Sequence, residues 1–426
     1  MNKETIYLPR LIESAIKMSM QTNGCVVIEG PKWCGKSTTS ERFAKSVVKL
    51  QKPATFKQYK ILADIGDDNL LSAEKPLLFD EWQKIPELWD YIRNYIDEVS
   101  GKGLFILTGS AKPIEDKDRH SGIGRIKKLV MRTMSLWESN ESSGEVSLKR
   151  LFEEDNNING KNRYQLLDIA HLLCRGGFPS AVTEKNKDVT LNYAKDYVDM
   201  LVSTDITSVD DIKRNPKRAR AILKSYARNV SSSASMNTIL KDIEANFDIE
   251  DIRTVNSYIN AFTKLFVIDE TESWTPKLRS KTAIRTTNIR HFVDPSIATA
   301  ILDATPEDFM NDLGTFGLFF ENFVIRDLKI YAQSLNGYVY NYRDKTGLET
   351  DAVIHLNDGR WGLIEIKLGG EKLINEGASV LKALKEKIDH ETMNEPSFLA
   401  VITAADRFAY KREDGVYVIP IGCLKP

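Results

Sequence analysis

Eight residues near the N-terminus have the composition and spacing of a phosphate-binding loop. The run GPKWCGKS, from Gly30 to Ser37, fits the pattern GxxxxGK[ST] between an apolar segment and a helix-like segment. Glycines let such a backbone wrap around phosphates, and its N–H groups point inward. In this pattern Lys36 reaches the β- and γ-phosphates, and the Ser37 hydroxyl binds Mg²⁺. The residues predicted to bind ATP are Gly30, Pro31, Lys32, Trp33, Cys34, Gly35, Lys36, Ser37 and Thr38.

An acidic pair supplies the second half of this predicted site. The run PLLFDE, from Pro76 to Glu81, is an apolar strand that ends in two carboxylates. Asp80 is predicted to complete the Mg²⁺ site, and Glu81 to orient and deprotonate an attacking water. Strands that end in an acid are common, so this prediction depends on the phosphate-binding loop that precedes it.

Three weaker candidates leave alternatives open. Thr108 and Ser110 end the next apolar strand and are placed to approach the γ-phosphate, although helix capping by Ser110 explains the same residues. Arg125 follows a Gly-containing turn and is a candidate for stabilising transition-state charge, or an ordinary turn arginine. Cys34 lies close to a helix N-terminus, which favours its thiolate form. Oxidation of Cys34 that blocks ATP binding is therefore a hypothesis.

A second group of chemically active residues lies in the last third of the chain. Asp351 opens one predicted strand, and Glu365 and Lys367 close the next, on one face because strand side chains alternate. Two carboxylates there can hold Mg²⁺, while a lysine activates water or stabilises a phosphate transition state. Glu321, on a preceding helix, is a predicted third metal ligand.

The Glu-x-Lys tripeptide is a weak signal by itself. The chain contains a second copy, from Glu115 to Lys117, in a polar loop. Arg343, Asp344 and Glu349 lie in the turn before Asp351 and are candidates for additional ligands, or ordinary solvated loop charges. A cluster without activity, or one used only for binding, remains an alternative to a nuclease site.

Two segments without acidic residues are locally basic. Either patch can meet a phosphate backbone, and a solvated helix face is the alternative for both. The helix-like segment from Asp251 to Leu265 has few charges, so we expect it to pack rather than to read bases. The basic residues are Lys213, Arg214, Lys217, Arg218, Arg220, Lys224 and Arg228 in the first segment, and Lys277, Arg279, Lys281, Arg285 and Arg290 in the second.

Hydrophobic periodicity predicts the elements that position these residues. The first third alternates helices and short apolar strands, which favours a parallel α/β sheet. The predicted elements there are a helix at 10–20, a strand at 24–29, a helix at 37–50, a strand at 76–79, a helix at 88–99, and strands at 103–107 and 126–134.

The remaining two thirds differ from this pattern. The middle is predicted to be helical at 193–202, 217–229, 237–245 and 251–265, followed by a hairpin around 266–274, which is the winged-helix order. The last third is predicted to contain helices through Tyr331, strands at 338–342, 351–356, 362–367, 398–403 and 416–419, and a helix near 378–388.

Composition limits the possible classes. The chain has 426 residues, which predicts two to four domains at roughly 150 residues each. Its 59 Lys and Arg against 60 Asp and Glu leave a formal charge of −1, so a nucleic-acid partner must be recognised locally. No apolar run approaches the about 20 residues of a membrane span, and the N-terminus lacks a signal-like core. We therefore expect a cytoplasmic chain without a membrane partner.

Several motifs together resemble one family. The phosphate-binding loop, LFDEWQ, ILTGS and Gly124-Arg125 look like the AAA-type ATPases that carry a C-terminal domain of unknown function. GGFP from Gly176 and YARN from Tyr226 are similar to that family's middle region. FVDPS from Phe292, FEN from Phe320 and EIK from Glu365 are similar to its C-terminal part. The likeness extends over nearly the whole chain.

The resemblance implies an AAA+ core, a winged-helix segment and a C-terminal domain like the PD-(D/E)XK nucleases, but no known substrate. We predict an α/β protein with an ATPase domain at 1–155, a helical and winged-helix region at 156–295, and a nuclease-like domain at 296–426. The predicted function is a Mg²⁺-dependent ATPase that acts on DNA or RNA. The alternative is an ATP-dependent switch whose last domain only binds a protein or nucleic acid. Self-assembly is a further expectation, because an arginine that stabilises transition-state charge in this superfamily, the role considered for Arg125, often comes from a neighbouring subunit.

Overall fold

The computed structural model describes residues 7–112, 122–153, 158–210, 212–244, 251–275, 288–388 and 393–426. Its N-terminal part is built on a five-stranded parallel sheet, as predicted. In spatial order the strands are Ser46–Lys49, Leu77–Asp80, Phe105–Gly109, Cys25–Glu29 and Ile126–Val130. The accompanying helices are Ile12–Thr22, Lys36–Glu41, Pro53–Ile65 and Leu88–Val99, with 3₁₀ turns at Asp68–Leu71 and Trp82–Lys84.

The three central strands of this sheet are buried along their whole length. Strands covered on both faces need apolar side chains at every position, which explains their continuous apolar sequence. Because all five strands are parallel, their carboxyl ends meet at one edge. The loop from Gly30 to Ser37, hereafter the P-loop, leaves this edge, and Asp80 lies there in register with Thr108.

One predicted element of the N-terminal part is wrong. The helix expected from Ser37 to Leu50 ends at Glu41, and residues Ser46–Lys49 form a strand at the edge of the sheet. Val47 and Val48 in this segment are β-branched and favour a strand, whereas apolar spacing over so short a run fits either structure. The predicted strand at 126–134 is also shorter, since it ends at Val130.

The middle part of the chain is helical. Three helices follow one another in the predicted order, but the hairpin predicted around 266–274 is wrong. The antiparallel bridges after these helices join Ile268 to Phe292 and Thr271 to Ile289, so the partner segment lies further along the chain. The helices are Leu148–Phe152, Leu166–Arg175, Pro179–Thr183, Lys187–Thr190, Asn192–Met200, Ile206–Ser208, Pro216–Arg228, Met236–Glu244, Ile252–Lys264, Pro295–Leu302 and Pro306–Asn311, with a π-helical turn at Leu201–Asp205.

The last part contains a seven-stranded mixed sheet beside the helices Leu313–Ser334 and Glu371–Lys387. The second helix begins seven residues before the predicted start at 378. The strands, in spatial order, are Gly160–Lys161, Phe408–Lys411, Tyr417–Pro420, Phe398–Thr403, Trp361–Lys367, Glu349–Leu356 and Gly337–Arg343. The chain ends with a 3₁₀ turn at Ile421–Cys423 and the strand Leu424–Lys425.

Several contacts join the three parts of the chain. The strand Val146–Ser147 pairs with Leu424–Lys425, and Gly160–Lys161 completes the C-terminal sheet. The helix Pro295–Leu302 packs against Pro216–Arg228. The proposed boundaries at 155 and 295 therefore separate parts that pack on one another. Within the described ranges, no helix has the length and apolar character that a membrane crossing requires.

Candidate functional site

The P-loop has a backbone that only small residues can form at two positions. A Cβ atom at Gly30 would lie 2.1 Å from the carbonyl oxygen of Met131, so a side chain there would displace the neighbouring chain. Gly35 has φ 99°, in the left-handed region that favours glycine. Trp33 has φ 64°, a conformation that a bulky side chain rarely adopts and that is frequent at ligand-binding loops.

The ammonium group of Lys36 lies inside the curve of this loop. Lys36 is buried, and its Nζ donates to the carbonyl oxygens of Gly30 at 3.0 Å and Pro31 at 2.7 Å. A buried ammonium group needs such acceptors because its desolvation is costly. The structure therefore places the predicted phosphate-binding lysine at the centre of the loop.

Ser37 and Asp80, which were both predicted to bind Mg²⁺, are in direct contact. The Ser37 hydroxyl donates to Asp80 Oδ1 at 2.7 Å, and the Thr108 hydroxyl donates to the same oxygen at 2.5 Å. Gln51 Nε2 donates to Asp80 Oδ2 at 3.1 Å. A carboxylate beside a hydroxyl is the hard oxygen donor set that Mg²⁺ prefers, so these residues fit that ion.

Glu81 is held in a defined orientation next to Asp80. Its backbone has φ 61°, and its Oε2 accepts hydrogen bonds from Ser110 at 2.7 Å and from Gln83 at 2.5 Å. Glu81 also lines the cleft described below. Ser110 therefore contacts the acidic pair, whereas its approach to the γ-phosphate stays a prediction.

A cleft of about 1430 Å³ opens over the P-loop. Its walls include Tyr7, the segment Pro179–Thr183 and Tyr193, so the N-terminal sheet and the middle helices both contribute. Lys32 Nζ lies 2.6 Å from Asp205 Oδ1 of the π-helical turn, which ties the P-loop to the middle region. A cavity of this volume is large enough for a nucleotide.

Arg10 supports the P-loop from beneath and was not among the predicted site residues. Its buried guanidinium donates to the carbonyl oxygens of Cys34 at 2.7 Å, Arg132 at 2.8 Å and Thr133 at 3.0 Å. It also pairs with Glu138 at 3.1 Å. No short motif marks such a residue, because its partners are backbone carbonyl groups far along the chain.

Two weaker candidates, Arg125 and Cys34, have defined positions in the structure. Arg125 precedes the strand Ile126–Val130, at the end of the sheet opposite the P-loop, and pairs with Asp97 at 2.6 Å. It does not reach the cleft of its own chain. The Cys34 thiol is buried and donates to Met131 O at 3.5 Å, so its oxidation would require the loop to open.

The second predicted cluster is also assembled. Lys367 Nζ lies 2.6 Å from Glu365 Oε2 and 3.5 Å from Asp351 Oδ2, while the backbone N–H of Ile366 donates to Asp351 at 2.7 Å. Burial, and then the charge of Asp351, raise the pKa of Glu365 to about 7. Burial alone would lower the pKa of Lys367, but Asp351 and Glu365 outweigh it and raise that pKa. We call Asp351, Glu365 and Lys367 with Glu321 the carboxylate–lysine cluster.

Glu321 approaches the cluster from the helix Leu313–Ser334. Burial, and then the charge of Asp351, raise its pKa well above the usual range. Its Oε1 lies 3.4 Å from Nε2 of buried His291, whose Nδ1 lies 2.8 Å from the Thr271 hydroxyl. Burial lowers the pKa of His291 to about 3, which keeps the ring neutral at physiological pH. The sequence did not single out His291.

The proposed metal ligands of this cluster are near one another without forming a closed site. No three His, Cys, Asp or Glu side chains in the described ranges are arranged to hold a metal ion together. In the adjoining turn, Arg343 pairs with Glu349 at 3.5 Å and Asp344 pairs with Lys387. These turn residues bind other side chains, which favours the solvated-charge alternative for them.

The two basic segments differ in accessibility. In the first, Lys213, Lys217, Arg220, Lys224 and Arg228 are exposed. Arg214 is buried against Asp210, and Arg290 of the second segment is buried beside Glu270. The predicted residues Lys277, Arg279, Lys281 and Arg285, and the tripeptide from Glu115 to Lys117, lie outside the described residues.

The geometry of the P-loop agrees with the comparison to known families. Residues 22–140 match the AAA domain family. This part of the chain is thus similar to AAA-type P-loop ATPase domains. Residues 166–308 and 316–424 match two families, each described as a domain of unknown function (DUF8612 and DUF4143).

Whole-chain relatives are distant. Uncharacterized proteins of Mycobacterium bovis and Mycobacterium tuberculosis are each 23% identical over 362 residues, which cover 80% of this chain and 70% of the relative. A Walker-type ATPase of Pyrococcus abyssi is 16% identical, with a TM-score of 0.42 over 70% of this chain and 96% of its own. The Aeropyrum pernix ORC1 protein, solved in complex with DNA, is 11% identical, with a TM-score of 0.26 over 74% and 97%. These structural likenesses are too low to support a functional argument.

Proposed function

We propose that the AAA-type domain is a Mg²⁺-dependent ATPase. The observation that carries this proposal is that Asp80 Oδ1 accepts hydrogen bonds from Thr108 and from Ser37, the residue that follows the P-loop lysine. Ser37 and Asp80 would hold Mg²⁺, which neutralises phosphate charge when bound. The P-loop backbone from Gly30 to Thr38 and the Lys36 ammonium group would hold the triphosphate of ATP.

Glu81 is the proposed water-orienting base. Ser110 and Gln83 bind one of its carboxylate oxygens, which leaves the other to accept a proton from a water in the cleft. The left-handed backbone at Glu81 is a strained conformation of the kind found at functional sites. Glu81 lines the cleft, so its carboxylate can reach a bound nucleotide.

Two substitutions test the ATPase separately from nucleotide binding. We expect Lys36→Ala to abolish binding of a fluorescent ATP analogue. We expect Glu81→Gln to bind it as the wild type does and to lose hydrolysis by about 10²-fold or more, because only the base is removed. Exposed Glu98 on the helix Leu88–Val99 offers a control, Glu98→Gln, that should leave both measurements unchanged. Full hydrolysis by Glu81→Gln would contradict the assigned role.

We further propose that residues 296–426 form a PD-(D/E)XK nuclease-like domain that acts on DNA or RNA, beside a winged-helix region within 156–295. Support comes from the contact of Lys367 with both Glu365 and Asp351 at the ends of adjacent strands. Asp351, Glu365 and Glu321 would hold Mg²⁺, and Lys367 would activate water or stabilise the phosphate. ATP hydrolysis would control which nucleic acid the cluster engages.

A cleavage assay separates the two activities. Supercoiled DNA, single-stranded DNA and RNA would be incubated with Mg²⁺ or Mn²⁺, with and without ATP. Cleavage by the wild type and none by Lys367→Ala, with its ATPase rate intact, is the expected outcome. Lys382 is a matched control, because this half-buried lysine of the same domain pairs with Asp414 rather than with a residue of the cluster. Equal loss in Lys382→Ala would point to contamination or misfolding.

An ATP-dependent switch without nuclease activity is the second candidate. It is favoured by two contacts of the P-loop with the middle helices. Lys32 pairs with Asp205, and the rings of Trp33 and Tyr197 pack edge to face with their centroids 5.7 Å apart. Such contacts can transmit a change in the loop to the rest of the chain. ATP hydrolysis without cleavage of any nucleic acid would support this candidate. A cytoplasmic location remains a proposal. Self-assembly, with Arg125 reaching a neighbouring chain, is also a proposal, and a mass measurement with and without ATP would test it.

A further inference from the structure

The helix Pro216–Arg228 has two chemically different faces. Ala219, Ile222, Leu223 and Tyr226 are buried, at the i, i+3, i+4 and i+7 positions of an amphipathic helix. This face packs against the middle helices and accounts for the stability of the element. The opposite face is turned to solvent, so packing does not explain its composition.

The exposed face carries a line of four basic side chains, which we call the basic stripe. Lys217, Arg220, Lys224 and Arg228 are exposed and are separated by three, four and four residues, so they lie along one side of the helix. At about 1.5 Å per residue the stripe extends over about 16 Å. The helix itself contains no acidic residue.

The charge of this stripe is largely uncompensated. Arg220 pairs with Asp199 at the surface, so one of the four charges has an acidic partner. Among the described residues, no ion pair joins Lys217, Lys224 or Arg228 to a carboxylate. A concentrated positive line on a chain of net charge −1 creates a local potential that attracts a polyanion.

The stripe leads toward the carboxylate–lysine cluster. The helix ends at Arg228, and Ser231, three residues later, donates to the carbonyl oxygen of Leu318 at 2.8 Å. Leu318 lies one helical turn before Glu321 in the helix Leu313–Ser334, and the charge of Glu321 interacts with those of Asp351 and Lys367. One end of the basic line therefore lies close to the cluster.

We propose that the basic stripe binds the sugar–phosphate backbone of a nucleic acid and directs it to the carboxylate–lysine cluster. This inference rests on the proposed function for the cluster, and it adds the surface by which the substrate is held. Evenly spaced cations match the regular charge of a phosphate backbone, which has one phosphate per about 3.4 Å of axis on each strand. The contact is independent of base sequence, since phosphate contacts position a nucleic acid without reading it.

A charge-neutralising variant of the full chain tests this inference. K217Q/K224Q/R228Q would be compared with wild type and with K17Q/K57Q/K102Q, which removes three exposed lysines of the N-terminal part and changes the net charge equally. Fluorescence anisotropy with labelled duplex DNA, single-stranded DNA and RNA, over a range of salt concentrations, gives the affinity and its salt dependence. The three ligands distinguish the possible sources of the phosphate backbone.

At low salt, we expect the stripe variant to bind nucleic acid with an affinity lower than that of the wild type by about 10-fold or more. The slope of log K against log salt should fall by about 3 units for duplex DNA, roughly 0.9 for each phosphate that the variant no longer neutralises. The control variant should keep most of the wild-type affinity. Wild-type affinity in the stripe variant, or an equal loss in the control, would overturn the inference, as would failure of the wild type to bind any of the three ligands.

Two further readouts distinguish this inference from the proposed function. Binding that needs the stripe but is followed by no cleavage would retain the inference and overturn the nuclease proposal. Cleavage by the stripe variant at an unchanged KM would retain the nuclease and overturn the stripe. Polyglutamate that competes as strongly as nucleic acid at equal charge would assign the surface to an acidic protein and overturn the inference.

Discussion

The Nζ atom of Lys32, in the P-loop, lies 2.6 Å from Oδ1 of Asp205, in the π-helical turn Leu201–Asp205. The two side chains are unequally accessible: 42% of the lysine is exposed but only 8% of the aspartate. If Lys32 is removed, a buried carboxylate loses its partner, whereas Lys32 can turn to water when Asp205 is changed. We expect Lys32→Ala to lower the free energy of unfolding by about 1–3 kcal/mol, and Asp205→Asn by less than about 1 kcal/mol.

Urea denaturation of the two variants, followed by tryptophan fluorescence, measures this difference. The double variant should be no less stable than Lys32→Ala alone, because the buried charge is then absent. A larger loss in Asp205→Asn than in Lys32→Ala would show that the pair is not asymmetric in this way.

Ser110 and Gln83 are positioning residues for Glu81. Each donates to Glu81 Oε2, so its removal frees the carboxylate to rotate. We expect Ser110→Ala and Gln83→Ala each to lower the kcat of ATP hydrolysis by about 10-fold, a fraction of the effect of losing a general base. The KM for ATP should stay unchanged. Ser14→Ala removes an exposed hydroxyl on the helix Ile12–Thr22 and should affect neither constant; a raised KM with normal kcat would reassign both residues to nucleotide binding.

Asp269 makes the stability of the chain depend on pH. Burial alone would raise its pKa, but Arg132 at 2.5 Å and Lys329 at 3.0 Å outweigh this and hold the pKa well below its usual value. A carboxyl with a depressed pKa contributes stability above its unfolded pKa of about 3.9 and loses it as pH falls through the folded value. Asp269→Asn should cost about 1–3 kcal/mol at pH 7, since half-buried Arg132 and buried Lys329 lose a charged partner while Lys329 keeps its backbone acceptors.

Thermal unfolding of wild type and Asp269→Asn between pH 7 and pH 2.5 checks this prediction. The difference between the two should be constant above about pH 5 and should shrink below pH 4. Exposed Glu98 provides a control, because Glu98→Gln should give a curve parallel to wild type. A difference that grows on acidification would have the wrong sign for a depressed pKa.

Gly177 permits a close approach of two backbone segments. A Cβ atom there would lie 2.1 Å from the carbonyl oxygen of Met134, and the Met134 N–H donates to Gly177 O at 2.7 Å. We expect Gly177→Ala to destabilise the chain by about 1–3 kcal/mol through overpacking. For Gly317, in the helix Leu313–Ser334, no atom of the described residues outside the local helix backbone lies within 4 Å of the same position, so Gly317→Ala should be neutral or stabilising by up to about 1 kcal/mol. Melting temperatures that fall equally would refute the difference.

Much of the N-terminal fold was predictable because its signals are local. Buried parallel strands are continuous apolar runs, and the P-loop is defined by a few adjacent residues. The edge strand Ser46–Lys49 was the exception, and its absence from the prediction also hid Gln51, which follows it and binds Asp80. Edge strands are short and half-exposed, so their pattern is weak.

The C-terminal site was predictable in part for the same reason. Alternation correctly placed Glu365 and Lys367 together, and the strand Phe398–Thr403 matched its prediction. His291 was missed, because a lone histidine before a helix has no signature until Glu321 is brought beside it. Arg125 could likewise not be placed from the sequence, because its position depends on the end of the sheet at which the strand Ile126–Val130 begins.

The sequence by itself determined the P-loop, the acidic pair and the two groups of strands, because each is set by neighbouring residues and a strand period of two. Only the tertiary structure decided that Lys32 meets Asp205, that Arg125 lies away from the cleft, and that the basic stripe ends near Glu321. These relationships join residues distant along the chain. They depend on how whole helices and sheets pack, which no short pattern encodes.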